Sequence, residues 1–236
     1  MVRPLFLHEV VDIVGQGAVP YMEHTLAFDT EGAAGRGLTL FGTWYVMGST
    51  GRWPQVVNVW ELVDGWDGWR RLCDRTNLRR QANPELAAWW DEAYRHRSGG
   101  FDRLLGGVEG CPTLAELTAE GVRGTLFVHE LSRVRPGAGP DYLAAVHDEL
   151  APRRAELGHT LVGLWEVLLS DTEVCTLWAT NLDAHVVAMA AADPGPQRHP
   201  ALAAWAERRR TWTTAWSEEL MVPCPGTPLG PEAWAD

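Results

Sequence analysis

Apolar residues in this 236-residue chain come in short runs bounded by Gly, Pro, Asn and Asp, a pattern that reads as strands and short helices. The first half offers strands at Leu5–Val10, Leu38–Met47, Gln55–Leu62 and Arg103–Val108. The second offers Leu126–Leu131, His159–Leu169, Glu173–Ala179 and Glu219–Val222. Gly/Pro turns, VGQGAVP and RPGAGP, lead into helical segments at Tyr21–Glu31 and Tyr142–Leu157, with Asp141 as a candidate cap for the second. GSTGRWP and SDT supply hairpin turns. A second helical region in each half is broken before Pro84 and around DPGPQRHP. Each half therefore reads β-α-β-β-α-β, the ferredoxin-like order.

The halves are also alike residue by residue. LFLHEV (Leu5–Val10) lies over LFVHEL (Leu126–Leu131), and GLTLFGTWYV (Gly37–Val46) over GHTLVGLWEV (Gly158–Val167). Trp60 lies over Trp178, and NPELAAWW over HPALAAWA. Three blocks in one order indicate an internal duplication. The expected division is a first repeat over 1–108, a linker over 109–124 with a helix-like LAELTAEG, and a second repeat with a C-terminal tail over 125–236. Leu40, Gly42, Trp44 and Val46 alternate with Phe41, Thr43, Tyr45 and Met47, so the strand is apolar on both faces and both need cover. The fold expected is α+β: two ferredoxin-like repeats packed sheet to sheet, helices outside, as a single-chain α+β barrel.

Composition narrows the function. The chain is 46% hydrophobic and 22% charged, as in a soluble folded protein. A net charge of −11 argues against nucleic acid as a partner. All twenty basic residues are Arg, and the absence of Lys excludes Schiff-base enzymes and a Walker A loop. No run of 18 apolar residues suggests a membrane span, and His8, Glu9 and Asp12 interrupt any signal-peptide core, so the expected compartment is the cytoplasm. Cys73, Cys111, Cys175 and Cys224 lie far apart, with neither disulfide framework nor zinc-site spacing, and no tight metal site is expected. None of the five serines sits in a GxSxG elbow.

The RPG string at Arg135–Gly137, the run Leu161–Val162–Gly163–Leu164–Trp165 and the Trp-ended third strand resemble NIPSNAP-like members of the dimeric α+β barrel superfamily. That resemblance implies a barrel of two ferredoxin-like sheets within one chain. It also implies a substrate held between a sheet and its own helices. Relatives include cofactor-free monooxygenases, polyketide cyclases, isomerases and haem-handling enzymes. The chain departs from the pattern at Glu9 and Glu130, where a first-strand Arg is usual. It departs again at Asn58 and Thr176, where a His commonly precedes the third-strand Trp by two.

The candidate catalytic residues are His8, Glu9, His24, His129 and Glu130. Strand neighbours point to opposite faces, so either His8 or Glu9, and either His129 or Glu130, lines a cavity. A desolvated His or Glu there is a general base; a His bonded to a backbone carbonyl is the structural alternative. His24, like His147, lies on a helix flank. Tyr21 and Tyr142 face the sheet, as packing or as groups that orient a substrate carbonyl. Tyr45 lies over Glu166 and Asn58 over Thr176, so the copies have diverged. Tyr45, Asn58 and Trp60, near His8 or His24, would form a polar cluster in a first-half pocket. Thirteen Trp outnumber Phe and Tyr together. Those that recur in both halves, including Trp89 with Trp205, read as scaffold. The unpaired Trp53, Trp66, Trp69 and Trp90 wall a flat ligand or face a partner.

The sequence thus points to an enzyme of specialised, biosynthetic metabolism that applies acid–base chemistry to an apolar or aromatic carbonyl-type small molecule. Cyclase, isomerase, lyase and cofactor-free monooxygenase activities all fit. No cofactor is expected; the alternative is a non-catalytic module binding haem or another flat ligand. A homodimer is left open.

Overall fold

A computed structural model of the chain describes residues 3–28, 33–78, 84–195 and 198–234. The first series of elements is β1 (Leu5–Ile13), α1 (Ala18–Phe28), β2 (Leu38–Val46), β3 (Gln55–Leu62), α2 (Trp66–Leu72), α3 (Pro84–Ala93) and β4 (Arg97–Gly107). A further helix, α4 (Leu114–Ala119), follows. The second series is β5 (Leu126–Val134), α5 (Gly139–Ala145), α6 (Ala151–Glu156), β6 (Thr160–Val167), β7 (Glu173–Thr180), α7 (Leu182–Ala192), α8 (Pro200–Arg209) and β8 (Thr213–Pro223). Both are β-α-β-β-α-β, and the hydrogen-bonded order of the strands is the closed series β1-β3-β2-β8-β5-β7-β6-β4.

The chain separates into two compact units, Met1–Leu105 with Met221–Asp236, and Gly106–Leu220. This cut differs from that of the sequence repeats because β8 is long. Its last residues pair with β2 of the first unit, Trp44 against Pro223 and Val46 against Met221. In the first unit β1 pairs antiparallel with β3, setting Glu9 opposite Asn58 and Leu7 opposite Trp60. In the second, β5 and β7 repeat this register, with Glu130 opposite Thr176 and Val128 opposite Trp178.

A shared detail explains the repeated Gly-x-Trp. The β2–β3 ladder shifts between Leu40 and Gly42, and the β6–β7 ladder between Leu161 and Gly163. The fully buried rings of Trp44 and Trp165 occupy the space where a Cβ on Gly42 or Gly163 would stand. Glycine is required there for close approach.

Several element ends differ from expectation. β4 starts at Arg97 and β8 at Thr213, each six residues before the sequence reading, because their first halves are polar or Gly-rich and lack apolar alternation. The helix expected over Tyr142–Leu157 is α5 and α6 joined by a π-helical turn at Val146–Leu150. Asp141 is not its cap: the N-cap is Ala138, and Asp141 lies in the first turn beside Pro140. The expected end of the first helix at Glu31 lies outside the described residues. The helix-like LAELTAEG forms α4, opened by a capping box in which Thr113 and Glu116 satisfy each other's backbone donors. Among the described residues no helix is long and apolar enough to cross a membrane.

Candidate active site

Strand alternation settles which first-strand residue lines a cavity. Leu7 and Glu9 of β1, Asn58 and Trp60 of β3 and Leu38 of β2 project to the side covered by helices, where they floor a cavity of about 490 Å³ within the first unit. α1, α2 and α3 contribute Thr25, Phe28, Trp69, Leu86, Trp89 and Trp90, and β4 contributes Arg97 through Asp102. Gly100 of β4 (φ 150°) has room for no Cβ, since one would overlap the Val10 carbonyl. His8, fully buried, is not part of the lining.

Glu9 is held by its floor neighbours. Its Oε2 accepts from Trp60 Nε1 at 2.8 Å and from Asn58 Nδ2 at 3.1 Å. Asn58 is fixed in turn: its Oδ1 accepts from Thr43 Oγ1 at 2.7 Å, and Nδ2 also reaches Tyr21 Oη at 3.4 Å. Among the described residues no donor engages Glu9 Oε1. Burial pushes the Glu9 carboxyl above its ordinary pKa, and the negative charge of Asp102 adds to this. Trp60, Asn58 and the Arg97 guanidinium only partly oppose it. A carboxyl of this kind is a stronger base once ionised and holds a proton closer to neutrality than a surface Glu.

The second unit carries the same floor with the opposite electrostatics. Glu130 Oε2 accepts from Trp178 Nε1 at 3.0 Å and from Thr176 Oγ1, but its Oε1 accepts from Arg154 of α6 at 2.9 Å. Arg154 also bonds Glu218 at 3.1 Å, and its guanidinium lies 4.7 Å from the Trp178 ring centroid. Burial works against ionisation of Glu130, yet Arg154, aided by the Thr176 and Trp178 hydrogen bonds, holds its pKa below the ordinary value. Glu218 is shifted upward, by burial and by Glu130 beside it.

The remaining candidate catalytic and substrate-binding residues do not line this cavity. His24 stacks on Trp89 at 4.9 Å and donates from Nε2 to the Trp89 carbonyl at 3.0 Å; it holds a wall residue and does not line the cavity. Tyr21 is buried behind Asn58, its hydroxyl pushed up to about 12 by burial and by Glu9. Tyr45 packs towards Trp234, ring centroids 6.3 Å apart, and so does not join the cluster expected with Asn58 and Trp60. Trp66 is half exposed and meets Trp69 edge to face without lining the cavity. His129 bonds Glu219 at 2.8 Å. Burial opposes its charge, but Cys175 and Glu219 outweigh burial and raise it to about 10. Tyr142 is buried, 3.2 Å from the Ser132 hydroxyl, and Glu166 borders a shallow groove at the β6–β7 hairpin.

Glu9, Asn58 and Trp60 are thus brought together, with Tyr21 behind them. Arg97, Phe101 and Asp102 are not legible in the sequence, because the part of β4 that carries them has no apolar alternation. The sequence reading also sets Trp89 aside as scaffold. A usable signal existed for Arg154: in the register that puts His8 over His129, it falls on Ala33, a small buried residue.

Comparison with solved structures decides the architecture. A putative monooxygenase from Fusobacterium nucleatum superposes with a TM-score of 0.62, covering 94% of this chain and 93% of its own at 9% identity. An anthrone oxidase-like protein superposes with a TM-score of 0.64, covering 94% and 91% at 12% identity. The chain has the dimeric α+β barrel fold. A NIPSNAP-like domain protein from Burkholderia xenovorans is also similar, over 47% of this chain and 90% of its own, at 21% identity and a TM-score of 0.36. No protein-family model and no curated protein sequence matches the chain. At these identities the α+β barrel likeness establishes fold alone.

Proposed function

We propose that this protein is a small-molecule enzyme in which Glu9 removes a proton from a carbon next to a carbonyl of a flat, largely apolar aromatic substrate. The observation that carries this reading is a carboxylate with a raised pKa and an unengaged Oε1, held by two donors on the floor of a cavity walled by Phe28, Trp89 and Trp90. Proton removal of this kind opens cyclisation, isomerisation, elimination and oxygenation alike. The names of the structural neighbours favour oxygenation, for which anthrone is the natural probe: anthrone and dioxygen give anthraquinone and water. Deprotonation at the methylene carbon is the step Glu9 serves.

The chemistry needs a base and a place for the resulting charge, so the reading includes no cofactor. Haem fits the cavity poorly. No described lining residue is His, Cys or Met, and Tyr94, the lining phenol, is more than half exposed. Cytoplasmic biosynthetic work agrees with four free cysteines, and a homodimer would cover exposed Trp53 and Trp66; light scattering tests the latter. The decisive experiment follows anthrone oxidation by absorbance. We expect turnover by the wild type and a loss of 10²–10⁴-fold in kcat, the order typical of a general base, in Glu9→Gln. Equal turnover in both overturns the proposal.

A further inference from the structure

Asn58 is a poor holder for the oxygen on which charge develops, because its amide donors are already directed at Glu9 and Tyr21. The cavity has a better-suited group. Arg97 opens β4 and lines the cavity, and its guanidinium lies 5.0 Å from the Trp90 ring centroid. Of its five N–H donors, one reaches Tyr21 Oη and one the Gly99 carbonyl, both at 3.3 Å, long for charge-assisted bonds. Its Nε is buried without an acceptor, and among the described residues no carboxylate forms an ion pair with it. Arg154 in the other unit marks the contrast, with two carboxylates within 3.1 Å. A guanidinium kept in an aromatic cavity with only neutral acceptors is incompletely compensated, and an anionic ligand oxygen would complete it.

We propose that Arg97 is the anion-holding residue of this cavity, and that its ligand is a flat aromatic compound carrying an ionised oxygen: a carboxylate, a phenolate or an enolate. This rests on reading the cavity as the substrate site. In the reaction, the C–H proton passes to Glu9 and the C–H electron pair becomes the enolate double bond. The carbonyl π pair moves onto the oxygen, whose charge Arg97 then faces. Tyr21 joins the two groups, accepting from Asn58 on the Glu9 side and from Arg97 on the other.

The test uses 2-naphthoate and 2-naphthamide, which share a ring system and differ in charge, with quenching of tryptophan fluorescence as the readout. We expect the wild type to bind naphthoate at least about tenfold more tightly than naphthamide, the order of one charge-assisted hydrogen bond. The preference should vanish in Arg97→Gln, survive in part in Arg97→Lys and persist in Glu9→Gln. Equal affinities in the wild type, no binding of either probe, or a preference intact in Arg97→Gln would overturn the proposal. The wild-type comparison needs no variant to fold. Anthrone turnover unchanged in Glu9→Gln, with the naphthoate preference retained, would sink the base assignment alone.

Discussion

Glu9 and Glu130 occupy the same place in two copies of one repeat, each on a first strand, opposite a polar third-strand residue and within reach of a tryptophan N–H. What separates them is a third element. In the second unit α6 delivers Arg154 onto the carboxylate; in the first, the residue in register is Ala33, and a cavity stands above the floor. One carboxyl is driven towards its protonated form by burial, the other held ionised by a guanidinium. The same strand register and similar floor hydrogen bonds therefore accompany opposite pKa shifts, because solvation and one countercharge dominate a buried carboxylate. On the proposed function, the floor of the first unit serves the reaction, while that of the second is closed by an ion pair.

The largest effect that would break this comparison is catalytic. Glu9→Gln should abolish most turnover, whereas Glu130→Gln should leave kcat nearly unchanged in whatever protein remains folded. The wild-type kcat/KM should rise with pH through the raised Glu9 pKa, since the carboxylate is the working form; that limb should be missing in Glu9→Gln.

Next comes Arg154→Met, which strands Glu130 in the interior. We expect a loss of about 3–5 kcal/mol, the usual cost of removing one partner of a buried pair, measured by urea unfolding.

The two Glu→Gln variants should also move stability in opposite directions. Glu130 has a folded pKa below its ordinary 4.5, so it stabilises above pH 4.5 and that contribution is lost as pH falls through the folded value. Glu9 has a folded pKa above 4.5, so its penalty appears as pH rises from 4.5 through the folded value. At neutral pH Glu9→Gln should therefore raise the melting temperature and Glu130→Gln lower it, both gaps closing in acid. Equal shifts of one sign would remove the electrostatic distinction between the units.

The smallest effect comes from the tryptophans. Trp60→Phe removes a donor to the carboxylate and should move the kcat/KM limb to higher pH. Trp178→Phe should cost only about 1–2 kcal/mol of stability.

Much of the architecture could be read from residues alone. The LFLHEV/LFVHEL match and the Gly-x-Trp spacing located both repeats, and their apolar runs gave six of the eight strands to within a few residues at either end. The N-terminal halves of β4 and β8 escaped because RSGGFD and TTAWSE lack an apolar period of two. The site was legible in part. Period-two alternation reduced β1 to a choice between His8 and Glu9, and divergence flagged Asn58. Tyr45 and Trp66 were placed wrongly because the C-terminal tail covers one, and the other points outward from α2.

The sequence by itself determined the duplication, the strand and helix order, and the presence of a carboxylate on each first strand, because these depend on local periodicity and spacing. Only the tertiary structure decided which carboxylate meets a cavity and which meets an arginine. The pKa of a buried acid depends on groups brought close from elements far away in the chain, Asp102 and Arg97 around Glu9, Arg154 and Glu218 around Glu130, and no periodicity within β1 or β5 encodes them.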